Sequence, residues 1–196
     1  MTHYYTDNSN LESNPKEFEY TFDNEEFIFR SDNGVFSKGE VDYGSYLLLK
    51  CVYQRPLGNQ ILDLGCGFGV IGTILKRFHP TSEVDLVDVN SRAIDLSRYN
   101  GLRNNVSINV YLTDDIRTLE KQYDSIILNP PIRAGKMVIF GLYEKSHSVL
   151  ADGGKFYIVI QKKHGANSSL EKLKELFNEV KVLDKINGHW LIEATK

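Results

Sequence analysis

Ile61-Leu62-Asp63-Leu64-Gly65-Cys66-Gly67-Phe68-Gly69-Val70-Ile71-Gly72 opens as a short apolar run, crosses a glycine-dense turn and continues into an apolar helical pattern. Such a passage is a strand, a tight turn and a helix N-terminus in succession. Glycines at 65, 67 and 69 permit positive φ and carry no Cβ to hold a ligand off the backbone. The helix that follows offers free N–H groups and the positive end of its dipole. The stretch therefore reads as a loop for a nucleotide cofactor. Gly67-x-Gly69-x-x-Gly72 satisfies the dinucleotide pattern, while the same loop read from Asp63 gives D-x-G-x-G-x-G. Glycines alone do not choose between ligands.

Outward from this stretch, apolar runs alternate with helical patterns. Ile61–Leu64 reads as a strand, Val70–Phe78 as a helix stopped by Pro80, and Val84–Val89 as a strand. Ser91 is the expected cap of a helix reaching about Asn100. Strands follow at Ile108–Leu112 and Tyr123–Leu128, then a helix at Lys136–Leu150 ending in the turn Ala151-Asp152-Gly153-Gly154. A strand at Phe156–Ile160, a helix at Ser168–Phe177 and strands at Val180–Leu183 and Trp190–Glu193 complete the pattern, with Asn187-Gly188 as a hairpin turn. Repeated strand–helix alternation predicts an α/β fold with a doubly wound, mostly parallel sheet and an antiparallel C-terminal hairpin. Ahead of it, Phe18, Tyr20 and Phe22 and then Phe27 and Phe29 alternate with polar residues about Asp23-Asn24, the signature of a small N-terminal β-hairpin. A loop from Ser31 to Gly44 and a helix at Tyr46–Tyr53 connect the two. Residues 1–15 are polar and expected to be poorly ordered. The chain thus divides into 1–45, a tail, hairpin and loop packed on the same domain, and the main domain, 46–196.

In a doubly wound sheet, ligands bind beyond the carboxyl ends of the strands, near the switch point. Asp88 falls at such an end, about 20 residues past the glycines, where a carboxylate accepts hydrogen bonds from ribose hydroxyls. Asp114, in Thr113-Asp114-Asp115-Ile116, is placed to accept an adenine amino group while an apolar neighbour packs on the ring; Asp115 reads as solvated. The discriminating stretch is Asn129-Pro130-Pro131-Ile132. Two prolines fix φ and remove two N–H donors, so the carbonyls at this strand end lack local partners. An amide side chain beside a free carbonyl forms two acceptors for one –NH₂ group, holding an exocyclic amine with its lone pair aimed at an electrophile. Asn-Pro is also a common turn dipeptide, so its weight comes from following the glycine loop and Asp88 in order.

Asp63-x-Gly65-x-Gly67-x-Gly69, Asp88, Asp114 and Asn129-Pro130-Pro131 resemble the successive S-adenosylmethionine (SAM) and amine motifs of class I N-methyltransferases. Gly34-Val35-Phe36-Ser37 with Asp42-x-Gly44-Ser45 resembles the methyltransferase small domain family, which includes guanine-N2 methyltransferases of small-subunit ribosomal RNA. The resemblance covers roughly residues 18–196. It implies a seven-stranded Rossmann-like methyltransferase sheet with its last strand antiparallel, SAM as methyl donor and S-adenosylhomocysteine as product. The implied acceptor is an exocyclic amine, foremost guanine N2 in ribosomal RNA or a small-subunit particle. SAM contacts are expected at Asp63, Gly65, Cys66, Gly67, Gly69, Asp88, Val89, Asp114 and Asn129, and catalysis at Asn129, Pro130, Pro131 and Ile132. RNA contacts are expected at Phe36, Ser37, Arg133, Lys136, Lys162 and Lys163, with His164 beside the last two. A sulfonium is already electrophilic, so no metal or strong base is expected. Ile132 stands where related amino methyltransferases have an aromatic residue to stack on the substrate; either its aliphatic side chain packs on the base or Phe36 stacks instead. Larger family members carry a second, duplicated half, whereas this sequence has only the acidic hairpin. A protein-glutamine methyltransferase would use the same Asn-Pro-Pro chemistry. A nicotinamide oxidoreductase would explain the glycines and Asp88 but not Asp63 or Asn129-Pro130-Pro131, and a non-catalytic nucleotide-binding module would not need Asn129.

Composition fits this reading without choosing the substrate. The 196 residues are 41% hydrophobic and 25% charged, with a net charge of −3, ordinary for a globular domain. Residues 1–32 hold eight acids and two bases, which leaves +3 on the remainder, compatible with a phosphate backbone. No apolar run is long enough to span a bilayer, and the N-terminus carries neither a basic region nor an apolar core of a signal peptide. Cys51 and Cys66 are too few for a disulfide framework. A reduced, cytoplasmic protein is the expectation.

Overall fold

The structure is a computed structural model that describes residues 11–196. Strands β1 (Lys16–Phe22) and β2 (Glu25–Ser31) form the expected hairpin. Asp23 and Asn24 both take positive φ, the requirement of a two-residue turn that follows strand twist. The hairpin's aromatic face is buried, with Phe22, Phe27 and Phe29 at most 1% exposed, and Phe18 and Phe29 meet the glycine loop's Phe68 edge-on.

The main sheet has seven strands in the order β5-β4-β3-β6-β7-β9-β8. They are β3 (Gln60–Leu64), β4 (Glu83–Asp88), β5 (Asn109–Leu112), β6 (Tyr123–Leu128), β7 (Leu150–Gln161), β8 (Glu179–Ile186) and β9 (His189–Thr195). Strands β3 to β7 run parallel and β9 pairs antiparallel with both β7 and β8. The chain steps from β3 outward to β4 and β5, then returns to the other side of β3 as β6, so the switch point lies between β3 and β6. Helices α1 (Tyr43–Val52), α2 (Val70–Phe78) and α3 (Ser91–Arg103) cover one face with the hairpin, and α4 (Lys136–Val149) and α5 (Ala166–Leu176) cover the other. Both faces being covered explains the near-continuous apolar runs of β3, β6 and β7. Among the described residues, no helix is long and apolar enough to cross a membrane.

Several boundaries differ from the sequence expectation, each for a local reason. Helix α1 begins at Tyr43, three residues early, because the Asp42 carboxylate accepts the Ser45 N–H and caps it. Helix α3 is capped by Asn90 rather than Ser91, the Asn90 side chain accepting from Arg92 and Ala93, and it continues to Arg103. The run 151–154 is the irregular start of β7 instead of a free turn, tied to the C-terminus by Gly153 N–H donating to Lys196 O and Lys196 N–H to Gly154 O. Helix α5 starts at Ala166, after Gly165 in the left-handed region. Of the tail expected to be poorly ordered, residues 1–10 lie outside the described residues, but the segment just after them is held. Ser13 Oγ and Asn14 N–H both donate to the buried Asp32 carboxylate, and Arg92 on α3 donates to the Leu11 and Asn33 carbonyls.

Candidate active site

The carboxyl ends of β3, β4, β5 and β6 open on one solvent-accessible cleft. One wall is the glycine loop. Gly65 and Gly67 sit at φ +71° and +56°, and a Cβ built on either would meet no protein atom closer than 3.9 Å. They leave room for a ligand. Gly69 and Gly72 remove bulk for packing instead, since a Cβ would lie 2.8 Å from Ser97 Oγ at the former and 2.5 Å from Leu86 at the latter. The G-x-G-x-x-G match at 67, 69 and 72 therefore joins one cleft-facing glycine to two that let α2 pack on α3 and β4. Gly65 and Cys66 N–H groups donate to Val87 O, and Ser97 Oγ donates to Gly67 O, fixing the loop from below.

Asp88, at the end of β4, accepts the Gly67 N–H at 2.9 Å on one oxygen and the Asn90 N–H at 3.0 Å on the other. Burial pushes its carboxyl up, opposed by the N–H groups of Gly67, Asn90 and Val89. Each oxygen keeps acceptor capacity for hydroxyls in the cleft. Val89 and Ile116 supply apolar surface beyond it, next to Thr113 and the exposed Asp114. Lys145 of α4 donates to the Asp114 carbonyl at 2.6 Å and joins the lining.

The opposite wall carries Asn129, Pro130 and Pro131, facing Phe36, Ser37, Val41, Asp42 and Ser45. Asn129 Nδ2 donates to Asp42 Oδ2 and to Ser45 Oγ, each at 2.9 Å. Because a carboxylate only accepts, the –NH₂ end must point there and Oδ1 must point away. The Pro131 carbonyl accepts from Ala134 N–H in a short 3₁₀ turn, Ile132–Ala134, whereas no donor among the described residues reaches the Pro130 carbonyl. Phe36 is 37% exposed at the rim.

Some anticipated residues lie outside the cleft. Asp63 is 1% exposed beneath the loop, where it accepts the Gly72 N–H at 2.8 Å and ties β3 to the start of α2. Burial pushes its carboxyl up to about 7, partly offset by that N–H. The Cys66 thiol is on the lining but packed against Ser97, and burial raises its pKa. Ile132 is partly buried against the core on the α4 side and does not line the cleft, whereas Phe36 does. Arg133, in the turn after Pro131, and Lys136, which opens α4, are exposed and do not join the cleft lining, with Lys136 over the Phe140 ring. Lys162, Lys163 and His164 form an exposed 3₁₀ turn after β7, and the two lysines border a separate shallow groove with Asn187. Among the described residues no group of three His, Cys, Asp or Glu side chains could hold a metal ion. Sequence reasoning assigned no role to Asp42, Ser45 or Lys145. The Asp-x-x-Ser spacing of a helix cap was a usable signal for the first two; nothing local marks Lys145.

The model of the methyltransferase small domain family matches residues 26–193. The uncharacterized protein YbxB of Bacillus subtilis is 42% identical across 99% of this chain and 98% of its own length. The ribosomal RNA small subunit methyltransferase C of Aliivibrio fischeri is 35% identical over 92% of this chain and 53% of its own. A Thermus thermophilus 16S rRNA N2 methyltransferase (RsmC), solved with AdoMet and guanosine, superposes with a TM-score of 0.84 at 27% identity, over 95% of this chain and 52% of that one. The chain thus spans about half the length of these rRNA methyltransferases. By its seven-stranded sheet and its match over most of its length, the chain belongs to the methyltransferase small domain family, with SAM as its methyl donor.

Proposed function

We propose that the chain methylates an exocyclic amine, N2 of a guanine in small-subunit ribosomal RNA. The observation that carries this is Asn129. Its –NH₂ is held by Asp42 and Ser45, which leaves Oδ1 uncommitted, and no donor among the described residues reaches the carbonyl of the next residue, Pro130, which also lines the cleft. Two acceptors suit one –NH₂ donor. The names of the A. fischeri and T. thermophilus relatives support guanine in rRNA as the acceptor, and such a substrate implies work in the cytoplasm.

The cleft fits SAM on its own features. Gly65 and Gly67 leave a space that any side chain would fill, and Asp88 presents a carboxylate with spare acceptor capacity for ribose hydroxyls. Val89 and Ile116 would pack on the adenine and Asp114 would accept its amino group. When bound, SAM supplies an electrophilic methyl group that passes to the nitrogen lone pair as its C–S bond breaks, leaving S-adenosylhomocysteine. Asn129 Oδ1 and the Pro130 carbonyl hold the amine hydrogens, so the lone pair is oriented and the positive charge developing on nitrogen is stabilised by preorganised dipoles. The extra proton is then lost to solvent. Phe36 offers a ring for the base, and a base paired in a duplex must be extruded to reach it.

Incubating the protein with radiolabelled methyl-SAM, undermethylated ribosomal RNA or subunits, and release-factor protein tests the reading. Label is expected in RNA, on guanine N2. Label confined to protein, the glutamine-amide outcome of the same Asn-Pro-Pro chemistry, would overturn it.

A further inference from the structure

We infer that Asp42 and Ser45 are positioning residues that lock Asn129 as a pure acceptor, and so restrict the site to amine donors. The inference rests on the proposed role of Asn129 but not on RNA being the substrate. An asparagine amide carries two N–H donors and one carbonyl acceptor. Both donors are committed, one to Asp42 Oδ2 and one to Ser45 Oγ, each at 2.9 Å. Turning the amide over would set its carbonyl oxygen against the Asp42 carboxylate, acceptor against acceptor. The lock thus excludes the rotamer that would offer –NH₂ to a ligand, and with it recognition of a carbonyl or an unprotonated ring nitrogen. A hydrogen bond to a carboxylate is also stronger than a neutral one and polarises the amide, placing more negative charge on Oδ1, where a cationic nitrogen develops.

The surrounding backbone is built for this contact. Asp42 is the α1 cap, its Oδ2 also accepting the Ser45 N–H at 3.0 Å, so the start of α1 fixes the carboxylate and the serine together. Gly44 between them is buried, and a Cβ there would lie 3.0 Å from Asp42 Oδ2 and 3.5 Å from Asn129 Nδ2. A glycine lets the helix end approach the amide. The partners lie 87 and 84 residues apart in sequence, so the contact is tertiary and joins the first helix to the end of β6.

Two readouts test the lock, one of which needs no acceptor. In a ¹H–¹⁵N spectrum, the Asn129 side-chain amide, identified by its loss in Asn129→Ala, should be shifted downfield and exchange slowly, and both signs should vanish in Asp42→Ser and Ser45→Ala. Serine at 42 keeps a helix cap but is too short for Asn129. An amide that exchanges like a free asparagine, or that is unmoved by either substitution, overturns the lock whatever the substrate proves to be. In the methyl-transfer assay, Asp42→Ser should lower kcat about 10- to 100-fold with the SAM Kd within about twofold, and wild-type kcat in this variant would also overturn it. The double variant tests orientation against mere structure. Asn129→Asp should be nearly inactive from carboxylate facing carboxylate, and adding Asp42→Asn, whose –NH₂ supplies a donor to the new carboxylate in exchange for the Ser45 N–H contact made by the same Asp42 oxygen, should recover activity at least tenfold. No recovery would assign Asp42 to the fold alone. Wild-type protein inactive on RNA would instead count against the proposed function, with the amide spectrum still deciding the lock.

Discussion

The glycine-loop wall of the cleft comes from one run of chain, residues 63–116, and is held through its backbone N–H groups, Gly65 and Cys66 donating to Val87 O, Gly67 to the Asp88 carboxylate and Gly72 to the Asp63 carboxylate. The Asn-Pro-Pro wall instead joins residues 42 and 45 to 129 through side chains. The first is a local device that recurs wherever a strand meets a helix through glycines. The second is a tertiary device, and a single lost side chain dismantles it. Substitutions in the two walls should therefore fail differently: SAM binding should be lost from one, turnover from the other.

The sharpest separation is expected from Asn129→Ala. Removal of a preorganised polar contact costs roughly 10²- to 10³-fold in turnover, and the glycine-loop wall is untouched, so the SAM Kd measured by calorimetry should hold while kcat collapses. Equal loss of both would mean that the two walls are not independent.

The same contrast governs what was legible in the sequence. The glycine loop and Asp88 could be read directly because their spacing is fixed by one strand–turn–helix unit. So could the sheet, since its apolar runs reflect burial on both faces. Asn129 stood out in the sequence by its prolines, but its pairing with Asp42 and Ser45 did not, because these become neighbours of β6 only once α1 is seated. The hairpin's anchorage was hidden for a similar reason. Asn100 on α3 and Asn104 at its C-terminal cap extend the β2 edge by bonding both backbone groups of Arg30 and Ile28, and two asparagines four apart carry no such signal. Asp63 is the opposite case: the pattern read it as a SAM contact, yet its carboxylate is spent beneath the loop on the Gly72 N–H.

Asp63 gives the next largest effect, on stability rather than catalysis. Burial holds its pKa at about 7 against an unfolded value of about 3.9. Between those values the folded protein keeps a proton that the unfolded chain has released, so this group's contribution is fully present below about pH 4 and is lost as pH rises to about 7. Asp63→Asn keeps an acceptor for Gly72 N–H and removes the titration. Relative to it, the wild type should lose roughly 3 kcal/mol between pH 5 and 8 at 1.36 kcal/mol per unit, a Tm gap of several degrees in parallel thermal melts. Parallel curves would show that Asp63 is ionised in the fold throughout.

Within the glycine-loop wall, Asp88→Ala removes the proposed ribose acceptor and the anchor of Gly67 and Asn90. Hydrogen bonds to a charged group contribute about 1.5–3 kcal/mol, so the SAM Kd should rise about 10- to 100-fold. Turnover at saturating SAM should fall far less. A kcat loss matching Asn129→Ala would erase the distinction between the walls.

The smallest effect is expected farthest from both walls, at the exposed turn after β7. Because β7 lies parallel to β6, Lys162 and Lys163 leave the sheet at the same edge as Asn129. Asn187, which borders their groove, donates to the Tyr43 hydroxyl in the first turn of α1, two residues from Ser45. A strand of RNA reaching the Asn-Pro-Pro wall along this edge would pass the two lysines. Each phosphate neutralised on a single strand contributes about 0.7 to the slope of log K against log salt. Lys162→Ala with Lys163→Ala should therefore flatten that slope for RNA binding by about 1.4 and weaken binding several-fold at moderate salt, with the SAM Kd and the kcat at saturating RNA unchanged. An unaltered slope would make these lysines ordinary solvated charges and move the RNA path to the Arg133 and Lys136 side of the cleft.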